Sequence, residues 1–222
     1  MPVQKTIVCL ANSRKPSGHC VSGKEWGTDA QGRWIRPVSR TQSGGLSSAT
    51  IMLDNGREPQ PLDIITIDLQ SPAPDTFQSE NWLISSPAKW SWQGRCANDK
   101  LTAMCDAVPS LWTNNHSSNF GLNDKISTAY AQEKVRSSLV LIKVPRLLIR
   151  VQQEYYKIKA RAVFAYNQTR YCLAVTDLKA KNYFKQQGMG EYFLERELFL
   201  CISIGVPYNG YCYKLVAGIV NF

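Results

Sequence analysis

The chain has 222 residues, enough for one large domain or two small ones, and its 26 Lys/Arg against 17 Asp/Glu give a net charge of +9. No run approaches the ~18 apolar residues of a membrane span, and the start, MPVQKTIVCLANSRK, lacks the apolar core and cleavage site of a secretory leader. A soluble, cytoplasmic protein with no membrane partner is expected, and its seven scattered cysteines predict reduced thiols rather than a disulfide framework.

TIVCLA (6–11) opens the chain as a strand. GHCVSGKE (18–25) then spells a phosphate loop until its last letter. Such a loop needs a glycine-rich turn into a helix and a Ser or Thr hydroxyl for the magnesium ion. Glu25 replaces the hydroxyl, and the following WGTDAQGRW has no helical periodicity. CVSGKE is therefore expected as a second strand, with NSRK (12–15) in the connecting loop. RWIRPV (33–38) is a third strand, and a loop rich in Gly, Ser, Asp and Pro fills 40–61. PLDIITIDL and ENWLIS complete this half. Residues 89–137 contain Trp90, Trp92 and Trp112, which argue against a disordered linker, and a helix is expected near 124–137. This connecting segment is expected to pack between two domains, 1–88 and 138–222.

The second half reads more clearly. SLVLIKVPRLLIRV (138–151) is a long β-rich run, bent or bulged at Pro145, which has no N–H for the ladder. EYYKIKARAVFAY (154–166) and RYCLAVT (170–176) flank the turn NQT as a hairpin, read with Tyr166 opposite Tyr171. Asp177 caps a helix LKAKNYFKQQ that Gly188 closes. LFLCISI and YCYKLVAGIV follow. Three strands, a helix and two strands, with a long bent first strand, is the order of an OB-fold, a small five-stranded barrel. Sliding this half back by 137 residues lays Arg170, Tyr171, Val175 and Thr176 on Arg33, Trp34, Val38 and Ser39, and LCISI on DIITI, which suggests an internal duplication. The fold class expected is mainly β: two OB-like five-stranded barrels with a connecting, partly helical segment.

The runs KTIVCLANSRKPSGHCVSGKEWG, GRWIRPVS, ENWLIS and LCISIGVPYNGYCYKLVAGIV resemble, in the same order, the prokaryotic proteins described as dual OB-fold-containing. The resemblance implies tandem OB-folds and a role in nucleic-acid transactions, in the setting of defence against foreign elements. It implies no established active site.

The excess positive charge belongs to the second half: residues 112–222 carry a net +8 and residues 1–111 only +1. Such asymmetry favours a polyanionic partner. From 134 to 170 nine basic residues accompany one acid, Glu154. Strand alternation puts Lys157, Lys159 and Arg161 on one face and Ile158, Ala160, Ala162, Phe164 and Tyr166 on the other. The outer face of strands two and three is where OB-folds bind oligonucleotides, so the basic row, with Arg170, fits phosphate neutralisation; a solvated face that repels edge pairing fits it as well. Aromatic platforms are missing from that face unless loops bring round Tyr155, Tyr208 or Tyr211. A second candidate is a phosphate grip by Arg14, Lys15 and Lys24 near Arg33 and Arg36, against an ordinary exposed turn.

His19 and His116 lie at no metal-ligand spacing from a cysteine pair, and no clustered acids suggest a two-metal site. No catalytic residue, metal or cofactor is expected. The reading is a nucleic-acid-binding protein without catalysis. Two rivals remain: a subunit that docks a partner effector enzyme, and a protein or enzyme that recognises nucleotides or modified bases.

Overall fold

A computed structural model describes residues 3–15, 18–27, 31–41, 44–85 and 88–222. The chain forms two compact units, Met1–Cys105 and Asp106–Phe222.

In the first unit, β1 (Val3–Lys15), β2 (Gly18–Glu25), β3 (Trp34–Val38), β4 (Asp63–Pro72) and β5 (Asn81–Ile84) close into a barrel. The long first strand closes it: its early half pairs antiparallel with β4 and its later half with β2, with an irregularity between Cys9 and Ala11 where it changes neighbours. β3 and β5 pair in parallel, Val38 against Leu83. The apolar alternation of these strands supplies the core, which includes Ile7, Val21, Ile35, Ile65 and Ile67. A short helix α1 (Ser48–Ile51), capped by the Ser47 side chain on the Thr50 N–H, lies in the stretch expected as plain loop. β6 (Trp90–Arg95) extends the sheet by pairing with β4, and Trp90 is part of this core. A single 3-10 turn (Asn98–Lys100) and α2 (Leu101–Met104) follow.

The second unit opens with a loop region leading to β7 (Lys125–Ser127) and α3 (Thr128–Lys134), a shorter helix than the one expected over 124–137 because residues 125–127 pair with a later strand. Residues 89–137 are thus shared between the two units and not a separate connector. The bent strand is realised as β8 (Leu139–Val144) and β9 (Leu147–Glu154), broken at Pro145. β10 (Lys157–Tyr166), β11 (Thr169–Val175), helix α4 (Leu178–Gln187), β12 (Gly190–Leu194), β13 (Leu198–Ile204) and β14 (Tyr211–Val220) complete the unit. β8 pairs with β13 and β9 with β10, so the two arms of one bent strand close a second five-stranded barrel, with β11 and β14 meeting in parallel. β12 is an added strand on the free edge of β9.

Asp177 caps α4 by accepting from the Ala180 N–H at 2.9 Å, and Gly188 ends it at φ +93°. The third strands of the two barrels end at Val38 and Val175, 137 residues apart, and both pair in parallel with the fifth. All seven cysteines are thiols. No helix among the described residues is long and apolar enough to cross a membrane.

The β10–β11 register differs from the expected one. Tyr166 pairs with Thr169, and Phe164 with Tyr171, around a two-residue turn in which Asn167 and Gln168 take φ +45° and +65°. The slip is two residues, so every side chain keeps its expected face.

Candidate functional site

GHCVSGKE is strand throughout, and its glycines serve packing. A Cβ on Gly23 would lie 2.1 Å from the Val8 carbonyl oxygen. Lys24 is buried: its Nζ donates to the Met104 carbonyl at 2.7 Å and lies 5.3 Å from the centre of the Trp34 ring, its cross-strand partner. Arg36 is also buried, with Nη2 2.7 Å from Glu80 Oε1. Lys24 and Arg36 were expected as phosphate contacts and are not available for that. The outer face of β2 and β3 is covered by the unit's own chain around Met104 and Glu80. Arg14 and Arg33 are exposed, and Arg14 stands opposite His19. The side chain of Lys15 lies outside the described residues. These five residues therefore do not form one grip.

On the second barrel, Lys157 and Lys159 are exposed as expected, but Arg161 is only 6% exposed. Its Nε and Nη2 both bind the carboxylate of Glu154, and Nη1 lies 3.3 Å from Asp124 Oδ2. Asp124 comes from a segment that runs against the edge of β11, where Leu122 and Cys172 exchange backbone hydrogen bonds. Phe120 packs edge-on against Tyr155 at 5.3 Å. Arg161 is thus part of a buried ion cluster, with Lys159 reaching Glu154 at 3.5 Å. Burial alone would raise the Glu154 carboxyl, but the Arg161 guanidinium and the Lys159 charge outweigh it and hold it below the usual range.

The same outer face stays open further along. Across β12, β9, β10 and β11 the register lines up Phe193, Leu148, Val163 and Cys172. A cleft of about 350 Å³ forms here, lined by Leu148, Val163 and Ala165, with Phe193 beside them and Arg146, Arg170 and Glu195 at the margin. Phe193 is 68% exposed, an unusual position for a large apolar ring. Arg146 and Arg170 are exposed and make no ion pair with a described residue, whereas Arg150 is held by Glu191 at 2.8 Å. Two unpaired guanidinium groups flanking an apolar floor and an open aromatic face can hold phosphates and stack a base. Arg170 belongs to the expected set. Arg146 appeared only in the charge run, and Phe193 was missed because nothing local reveals that GEYFL joins β9. Tyr156 is fully exposed in the β9–β10 turn, and Tyr208 is 65% exposed between β13 and β14, so loops do present aromatic rings.

A separate cluster lies in the first barrel. Asn12, His19 and Ser48 are joined in series, Asn12 Oδ1 to His19 Nδ1 and His19 Nε2 to Ser48 Oγ, each at 3.0 Å. Sequence spacing gives no sign of it, because three different elements contribute. No group of three or more His, Cys, Asp or Glu among the described residues is placed to hold a metal ion.

A family model of the dual OB-containing domain matches residues 5–219, and the chain belongs to that family. No curated protein matches the sequence. Two chains of solved structures align with it. One, described as "Molecular basis for abrogation of activation of pro-inflammatory cytokines", has a TM-score of 0.34 and 9% identity over 96% of this chain and 90% of that chain. The other, described as "Structural mimicry for functional antagonism", has a TM-score of 0.33 and 12% identity over 96% and 88%. Likeness at this level carries no argument about function.

Proposed function

We propose that this dual OB-containing protein binds single-stranded nucleic acid in the cleft of its second barrel. Arg146 and Arg170 contact phosphates and Phe193 stacks on a base. The observation that carries the reading is the pair of exposed arginines, without carboxylate partners among the described residues, beside an exposed ring. On the same face Arg161 is held by Glu154 and Arg150 by Glu191. Arg146 and Arg170, with no ion pair among the described residues, are available to an anion from outside, and each phosphate they neutralise releases counterions. An apolar floor of Leu148, Val163 and Ala165 favours backbone tracking and stacking over sequence readout. Lys157 and Lys159, on the same face of β10, extend the positive surface. We place this activity in a reducing cytoplasm, the compartment that suits seven thiols.

The test is equilibrium binding of labelled single-stranded and duplex oligonucleotides at several salt concentrations. Single strands bind more tightly, and Arg146→Gln with Arg170→Gln lowers the salt slope by roughly 1.4, the value for two lost phosphate contacts. Equal slopes in wild type and double variant would place the contacts elsewhere. Exposed Met189 and Phe193 also suit a protein partner, the second reading. Co-purification of a defined protein that survives nuclease treatment and is lost with Phe193→Ala would favour it.

A further inference from the structure

The Asn12–His19–Ser48 series has a fixed direction. Asn12 Nδ2 donates to the Pro59 carbonyl at 3.0 Å, which turns Oδ1 toward His19. An amide oxygen only accepts, so His19 Nδ1 carries the proton and donates it to Asn12. In the neutral imidazole Nε2 then keeps its lone pair and accepts from the Ser48 hydroxyl. This is the polarity required of a serine nucleophile, a histidine base and a residue that fixes the tautomer of the base.

The parts are also differently exposed, as such a site needs. Asn12 and His19 are buried, at 8% and 3% exposure, whereas Ser48 is exposed. Glu58 Oε1 lies 3.6 Å from the same His19 Nε2. The geometry is held by backbone. His19 and Leu46 exchange hydrogen bonds at 2.7 and 3.0 Å, which sets Ser48 beside the ring. Gly18, at φ +136°, allows that approach; a Cβ there would lie 2.3 Å from the Leu46 carbonyl oxygen.

We propose that Ser48 is a nucleophile toward carboxylic esters, with His19 as its general base and Asn12 as a positioning residue. Ser48 Oγ adds to the ester carbonyl carbon as its proton passes to His19 Nε2. The adduct collapses with cleavage of the C–O bond, and the departing alkoxide takes the proton from His19. Water then attacks the acyl-serine, giving a proton to Nε2; as the acyl–Oγ bond breaks, that proton returns to Oγ, releasing the acid.

The test is labelling of the full chain with a fluorophosphonate probe, with adducts located by mass spectrometry, alongside p-nitrophenyl acetate turnover. Ser48 acquires the adduct in the folded protein, and Ser48→Ala, at an exposed position, keeps its melting temperature but loses both adduct and turnover. His19→Gln retains hydrogen-bonding capacity without the base and slows labelling about a hundredfold, the low end of what a general base contributes. An unlabelled Ser48 in folded protein, or labelling at an equal rate in His19→Gln, overturns the assignment.

Discussion

Arg161 grips Glu154 through two guanidinium nitrogens, with Nη2 to Oε2 at 3.0 Å, while both side chains are almost wholly buried. A cation that strand alternation assigns to the outer face is there, but under Asp124 and against Glu154. Removing one partner strands a buried charge. Arg161→Met is expected to destabilise the second unit by about 3–5 kcal/mol, and Arg161→Met with Glu154→Met to recover most of that. Urea denaturation of the single and double variants checks it.

The same pair sets an acid limit. The Glu154 carboxyl is held below its ordinary value of 4.5, so its contribution is fully present above that pH and is lost as pH falls through the folded value. Unfolding curves across the acid range are expected to show a larger loss in wild type than in the double methionine variant.

Lys214 is buried, donates to the Thr113 carbonyl at 2.6 Å, and lies 5.3 Å from the Tyr171 ring centre. Burial lowers its pKa from 10.5 to about 8, with Asp124 opposing. Between these values the unfolded chain holds a proton that the native protein has released, so this group's contribution to stability rises with pH. Relative to Lys214→Met, the wild type is expected to gain stability from pH 8 to 10.5 by a few kcal/mol at most, measured by denaturant titration.

Gly23→Ala would drive a methyl group into the Val8 carbonyl in the ladder between β1 and β2, where neither backbone can retreat. A loss of roughly 3 kcal/mol is expected in thermal unfolding, far above that of an exposed Gly→Ala change.

Phe193→Ala separates binding from folding. The ring is mostly exposed, so stability should change by less than about 0.5 kcal/mol. Loss of stacking is expected to cost about 1–3 kcal/mol of oligonucleotide affinity, read by fluorescence anisotropy.

The barrel strands were legible because their apolar residues alternate and because Asp177, Gly188 and Pro145 mark element ends by fixed local chemistry. The faces of β10 were legible too, and survived a register slip, since two residues is one full strand period. What covers a face was not. Arg161 and Lys159 are equivalent by alternation, and they differ because Asp124, 37 residues earlier in the chain, lies over one of them. Lys24 and Arg36 were misjudged for the same reason, with Met104 and Glu80 as their covers. Phe193 escaped notice because its role depends on β12 pairing with β9, a contact made across more than forty residues.

The most direct measurement is ultraviolet cross-linking of an oligonucleotide carrying 5-iodouracil, with attachment sites mapped by mass spectrometry. The cleft reading predicts attachment at Phe193, with the yield abolished by Arg146→Gln and Arg170→Gln. Attachment confined to the first unit, or to Tyr156 and Tyr208 with Phe193 untouched, would contradict it.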